Sequence, residues 1–224
     1  NHTRGVLLYG PPGTGKTLIA RKIAEILGCN KPKIVNGPEV ESKWVGEAEK
    51  NIRNLFEEAQ QEWDDKKENS SLHVVIFDEI DAIAKKRGGA HAKSRDGALN
   101  QLLCCMDGID SLDNVLVFGL TNRKDCLDPA LLRPGRLEVQ LEIGLPDLQG
   151  REDILNIHTK KMKQSGRLSD DVNLRILAEY AVDFSGADLS GMIRSAVSFA
   201  LDEMDDEDNV IITQELLQRG LHEV

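Results

Sequence analysis

Short apolar runs alternate with longer amphipathic stretches over the first two-thirds of the chain, and the alternation predicts strand, helix, strand, helix. "GVLLYG" (Gly5 to Gly10) is a continuous apolar run closed by glycine, the form of a strand covered on both faces. "KTLIARKIAEIL" after it sets Ile19, Ile23, Ile26 and Leu27 at helical spacing, and Gly28 stops it. "KIVN" (Lys33 to Asn36) predicts a second strand. "EAEKNIRNLFEEAQQEW" predicts a helix with Ile52, Leu55, Phe56 and Ala59 on one face. The polar "DDKKENSS" predicts a loop, and "LHVVIFDE" a third strand that stays apolar until it meets two acids. "ALNQLLCCM" offers Leu99, Leu102, Leu103 and Met106 as another helix face, and "NVLVFGLTN" and "VQLEIG" complete five strand candidates. Strands separated by helices predict an α/β fold, a parallel sheet with helices on both sides.

The pattern changes after "LPDLQG" (Leu145 to Gly150). "EDILNIHTKKM", "LRILAEYA", "GADLSGMIRSAVSFALDEM" and "TQELLQRGL" all read as helix. A domain boundary is expected there, with an α/β core over 1–146 and a small all-helical domain over 147–224. The acid run "DEMDDED" (Asp202 to Asp208) reads as a solvated helix end and turn.

Composition narrows the class. Only 4% of the 224 residues are aromatic, so the core has to be built mainly from aliphatic side chains. The formal net charge is −10 with no long basic stripe, a field that repels a phosphate backbone and argues against nucleic acid as a partner. Cys29, Cys104, Cys105 and Cys126 match no metal-ligand spacing and no usual disulfide framework, so they read as free thiols in a reducing compartment. "NHTRGVLLYG" is not a signal peptide, and no apolar run approaches the ~20 residues of a membrane span. The expectation is a soluble, cytoplasmic protein. Its abrupt opening into a strand reads as a piece of a longer chain.

Three strand ends carry candidate chemistry. "GPPGTGKT" (Gly10, Pro11, Pro12, Gly13, Thr14, Gly15, Lys16, Thr17) fits G-x-x-x-x-G-K-[ST] between a strand and a helix, with Leu18 next on the helix. Its glycines let backbone N–H groups turn inward around phosphate oxygens, and the helix start adds unsatisfied donors. Lys16 can reach the β- and γ-phosphates of a nucleotide, and Thr17 can hold Mg²⁺. In "VVIFDE", Asp78 emerges at the C-terminal end of a buried strand, where parallel sheets bind ligands, and can support Mg²⁺. Glu79 beside it is placed to orient or deprotonate an attacking water, which favours hydrolysis over binding alone. "VLVFGLTN" delivers Thr121 and Asn122 in the same way, and the Asn122 amide can hydrogen-bond that water or the γ-phosphate. Finally, "LLRPGRLEV" sets Arg133 and Arg136 around a Pro-Gly turn, either as a local salt bridge, for instance with Glu138, or as ligands of a phosphate on another molecule.

"GPPGTGKT", "IFDEIDAI", "GLTNR" and "LLRPGR", in this order, resemble the AAA ATPases over essentially the whole chain. The resemblance implies a P-loop NTPase core with a five-stranded parallel sheet, followed by a small all-helical lid. More narrowly, "VNGPEV", "KWVGEAEKNIRNLFEEA", "SLHVVIFDEIDAI" and "LLRPGRLEVQLEIGLPD" resemble the first ATPase module of the N-ethylmaleimide-sensitive factor type. The valosin-containing type differs at Phe77, where it carries isoleucine, and at "RLEV". The resemblance implies that Arg133 and Arg136 are arginine fingers reaching the γ-phosphate held by the adjacent subunit. It also implies that Lys43, Trp44 and Val45 form a pore loop gripping substrate polypeptide, although tyrosine or phenylalanine is the more usual aromatic and a core tryptophan is the other reading of Trp44. His158 matches a histidine near the adenosine, or is an ordinary helix residue. Gly186 and Ala187 match the place where the lid closes over the adenine. Thr14 stands where some members carry a reactive cysteine.

The reading that follows is an ATP- and Mg²⁺-dependent hydrolase module of a homo-hexamer. By resemblance it acts on SNARE complexes delivered by SNAP-type adaptors in vesicle fusion, and meets membranes only through partners. Two other readings stay open: an unfoldase of the valosin-containing type, and a ring module that binds ATP for structure alone.

Overall fold

A computed structural model describes residues 4–29, 31–43, 47–85, 92–108, 113–203 and 210–223; within these, the side chains of 41–43 and 92–96 are left aside. Five strands form one sheet: β1 (Gly5–Tyr9), β2 (Lys33–Asn36), β3 (His73–Asp78), β4 (Val115–Thr121) and β5 (Val139–Glu142). Their order is β2-β3-β4-β1-β5 and every pair is parallel. β4 therefore lies between β1, which leads into the glycine-rich loop, and β3, which ends at Asp78. The helices of this part are α1 (Lys16–Ile26), α2 (Gly37–Lys43), α3 (Ala48–Lys66) and α4 (Ala92–Gly108).

The apolar runs are buried on both faces, as a parallel sheet between helices requires. Leu7, Val75, Phe77 and Val117 join Ile52, Phe56, Leu99 and Leu102 in one core cluster. Their strand neighbours Leu8, Val74, Ile76, Phe118 and Leu120 pack with Ala20 and Ala24 in another. Successive residues of one strand thus feed opposite layers, which is the period-two geometry of a pleated strand.

Helical spacing holds in α1, but not all of its apolar positions are covered: Ile26 is 81% exposed and Leu27 is exposed too, while the fully buried residues are Ala20 and Ala24, with Ile19 and Ile23 partly covered. Small side chains let the helix lie close to the sheet, and its last turn carries Ile26 outside the packed layer. The polar "DDKKENSS" is also less of a loop than expected, since α3 continues through Lys66 and a single 3-10 turn follows at Lys67–Asn69. Polarity there marks an exposed helix end, supported by Lys66–Glu62 at 3.0 Å one turn apart. The short helix α2 has no hydrophobic period and is not legible in the sequence.

The chain divides into two compact units, Asn1–Gly10 with Lys16–Ile143, and Pro11–Gly15 with Gly144–Val224. The second contains α5 (Leu148–Gln164), α6 (Leu174–Tyr180), α7 (Gly186–Glu203) and α8 (Gln214–Glu223) around Leu155, Leu177, Leu189, Met192 and Leu217. Asp147 caps α5 by accepting from Gly150 N at 2.8 Å, and Asn173 caps α6 from Ile176 N at 3.2 Å. Arg151 is buried but satisfied, donating to Ala178 O (2.8 Å) and Pro146 O (3.0 Å). The acid run from Met204 to Asp208 lies outside the described residues. No described helix is long and apolar enough to cross a membrane.

Candidate active site

The site grows from the C-terminal ends of β1, β3 and β4. β1 ends at Tyr9, and Gly10 then turns with φ +147°; a Cβ on it would lie 2.1 Å from Ile143 O, so a side chain is barred by both conformation and space. Past the loop, Lys16 starts α1. Its ammonium donates to Gly10 O at 3.0 Å, and the residue is only 8% exposed; burial pushes its pKa down from the ordinary value, while the charge of Asp78 pulls the other way. Thr17 Oγ1 donates to Asp78 Oδ2 at 2.7 Å. Lys16 and Thr17 are thereby drawn together with Asp78, which lies 61 positions beyond Thr17.

Asp78 Oδ1 accepts from the N–H of Glu79 at 3.0 Å. Glu79 itself adopts the left-handed conformation (φ 49°, ψ 47°), which costs a non-glycine residue about 1–3 kcal/mol and persists where the surroundings enforce it. Here Glu79 O accepts from Ala82 N at 2.9 Å, and Gly37 lies directly against it: a Cβ on Gly37 would be 2.2 Å from that carbonyl. The turn leaves Glu79 exposed beyond the end of β3. At the tip of β4, Thr121 is buried and Asn122 exposed.

Arg133 and Arg136 follow the turn at Pro129–Leu132. Arg133 is exposed. Arg136 is partly buried and engages Asp107 of α4 bidentately, Nε to Oδ1 and Nη2 to Oδ2 at 2.7 Å each, while Nη1 donates to Ala130 O at 2.5 Å. The guanidinium holds the Asp107 carboxyl below its ordinary pKa. Glu138, the local partner considered from sequence, instead accepts from Gly135 N at 3.1 Å. Asp107 is a residue that sequence reasoning missed, because an acid at the end of an amphipathic helix carries no local signal of a partner 29 positions away.

Within the second unit, Pro11–Gly15 meets the start of α7. Ala187 N donates to Gly13 O at 3.1 Å, and Thr14 Oγ1 donates to Pro11 O at 3.0 Å. Ser185, also missed from sequence, approaches Gly13 so closely that a Cβ there would lie 2.5 Å from its Oγ. Gly186 is beside the same carbonyl, and His158 is exposed on α5. Leu18 is exposed on the first turn of α1. Trp44 and Val45 lie outside the described residues, as does the side chain of Lys43.

For a divalent cation, the fit rests on Thr17 Oγ1 and Asp78 Oδ2, two oxygen donors in contact and partly buried, the donor type that Mg²⁺ prefers. Among the described residues, no group of three or more His, Cys, Asp or Glu side chains forms a separate metal cluster.

A parallel sheet whose first strand runs through a glycine-rich loop into a helix beginning Lys-Thr, with an acid-tipped strand alongside, defines a P-loop nucleotide-binding protein. The family described as "ATPase family associated with various cellular activities (AAA)" matches residues 6–145, and this chain belongs to it. Among relatives, it is 57% identical over 205 residues to the vesicular-fusion protein SEC18 of Saccharomyces cerevisiae, covering 91% of this chain and 27% of that protein. It is 53% identical over 234 residues to the vesicle-fusing ATPase of Arabidopsis thaliana, covering all of this chain and 32% of that one. The vesicle-fusing ATPase of Dictyostelium discoideum is 52% identical over 212 residues, 94% of this chain and 29% of its own length. The chain thus spans roughly a third or less of the relatives it matches.

Proposed function

We propose that this chain is the ATP-hydrolysing module of a hexameric machine that disassembles SNARE complexes in vesicle fusion. The observation that carries the hydrolytic part is the meeting of Lys16, Thr17 and Asp78 beside a Glu79 held in a strained, exposed turn. The names of the relatives, vesicular-fusion protein and vesicle-fusing ATPase, support the trafficking role. SNAP-type adaptors and SNARE substrates are the partners this reading implies, and the cytosol is where it would work.

In this mechanism the loop amides from Gly13 to Thr17 and the ammonium of Lys16 bind the phosphates of ATP. Thr17 and Asp78 would hold Mg²⁺, which supplies charge neutralisation when bound. Glu79 takes a proton from the attacking water, and Asn122 orients that water by hydrogen bonding. Arg133 and Arg136 stabilise charge developing at the γ-phosphate of a neighbouring subunit, worth about 10³–10⁵ in rate where such arginines act. His158, Gly186 and Ala187 contact the nucleoside end, and the segment Lys43 to Val45 contacts substrate polypeptide.

The test is ATP turnover per subunit against protein concentration with Mg²⁺ present. Turnover should climb with concentration, and replacing either arginine by alanine should flatten the rise. Turnover that stays near zero in a proven assembly would overturn the reading.

A further inference from the structure

The proposed mechanism gives no task to Asp81, a carboxylate only 6% exposed in the one-turn 3-10 segment Ile80–Ala82. A charge removed from water persists only where donors replace the water. Asp81 Oδ1 accepts from Thr121 Oγ1 at 2.7 Å, and Oδ2 accepts from Arg123 Nε at 3.1 Å and Nη2 at 2.8 Å. Thr121 Oγ1 in turn accepts from Arg123 N at 2.9 Å, and Thr121 O accepts from Gly10 N at 3.3 Å. Asn122 is the residue between Thr121 and Arg123. Both its neighbours are therefore tied to one carboxylate, and the preceding peptide is tied to the start of the phosphate loop.

The placement along the sheet makes this link necessary. The β3–β4 register runs from His73↔Val115 to Phe77↔Gly119, so Glu79 and Asn122 both lie past the last paired residues. The turn carrying Glu79 is held by its own backbone bonds, Ala82 N to Glu79 O and Ala84 N to Ile80 O at 2.9 Å each, and by fully buried Ile80. Asn122, in contrast, follows the end of β4 and has no side-chain hydrogen bond among the described residues. Its direction is set by its two neighbours.

We propose that Asp81 is a positioning residue that, through Thr121 and Arg123, holds the Asn122 amide at a fixed place relative to Glu79. The inference rests on the reading of Glu79 and Asn122 as the groups that handle the attacking water. A misplacement of about 1 Å at such a group can cost about 10²-fold in rate without loss of substrate binding.

The experiment is a set of single and double variants of the full chain in its assembled state, read by ATP affinity, turnover and thermal unfolding. Asp81→Asn keeps an acceptor for Thr121 but loses the paired acceptor for Arg123. It should bind ATP with unchanged affinity and turn over about 10²-fold more slowly. Arg123→Ala should show the same split, with thermal unfolding reading separately the cost of leaving the Asp81 carboxylate to Thr121 alone, and Thr121→Ser should restore what Thr121→Val loses. The double variant Asp81→Asn with Asn122→Ala should be no slower than Asn122→Ala alone. Multiplying effects, or an affinity that falls in step with turnover, would overturn the positioning role. Normal turnover in Asp81→Asn beside slow turnover in Asn122→Ala would overturn it too, leaving the hydrolytic reading in place. Normal turnover in Asn122→Ala would remove Asn122 from the mechanism and this inference with it.

Discussion

At the residue scale, the site depends on backbone conformations that particular side chains permit or forbid. Gly10 is the clearest, because its φ of +147° and its approach to Ile143 O leave no room for a methyl group. Gly10→Ala should cost about 1–3 kcal/mol through strain and displace the backbone at residue 10 from Ile143, weakening nucleotide binding as well. Denaturant unfolding and a nucleotide titration would check both effects; a variant that matched the parent in each would contradict the geometry. Glu79 is the converse case, a residue with a Cβ in a conformation suited to glycine. Its identity was legible from "VVIFDE", since an acid following four apolar residues stands out. Its left-handed turn was not, because that depends on Gly37 from another part of the chain.

At the element scale, α3 and β3 are joined by a polar cluster at the N-terminal edge of the sheet, opposite the strand ends that carry the site. Glu62 accepts from Lys66, from Ser71 N and Oγ, and pairs with His73 Nε2 at 2.7 Å. Lys66 first, then Ser71 and His73, hold its pKa down to about 2. A carboxyl depressed in the folded state contributes stability that is complete above its unfolded pKa, about 4.3, and is lost as pH falls through the folded value. Glu62→Gln should therefore be less stable than the parent at pH 7, and the gap should close between about pH 4.3 and 2. Melting curves across that range would show it, and a gap that widened toward low pH would refute the assignment. Helical periodicity located α3 but not its end, because an exposed last turn is as polar as a loop. Periodicity also set Ile26 in line with Ile19 and Ile23 without showing that it stays exposed, since spacing alone does not say where the sheet beneath a helix ends.

For the whole molecule, the two arginines differ in a way their shared motif conceals. Arg136 is braced by Asp107 across 29 residues, whereas Arg133 stands exposed. Arg136→Ala should lower unfolding stability by up to about 1 kcal/mol, the scale of a partly exposed ion pair. Arg133→Ala should stay within about 0.5 kcal/mol of the parent. Both should reduce turnover in the assembly by about 10³ if each reaches a neighbouring site. Equal stability losses beside equal rate losses would mean that folding, and not catalysis, is being measured. The unequal pattern would separate bracing from chemistry.

The sequence by itself determined the alternation of strand and helix, the phosphate loop, the acid tip of β3 and the amide tip of β4, and through those motifs the family. Each of these is local: a period of two or 3.6, or a run of residues whose chemistry is carried by neighbours in the chain. The tertiary structure alone decided the partners. It joined Thr17 to Asp78, Asp81 to Arg123 and Asp107 to Arg136, and it set Ala20 rather than Ile26 against the sheet. Charges and packing faces distant in sequence meet only after the strands have taken their order, and that order comes from burying all the apolar runs together.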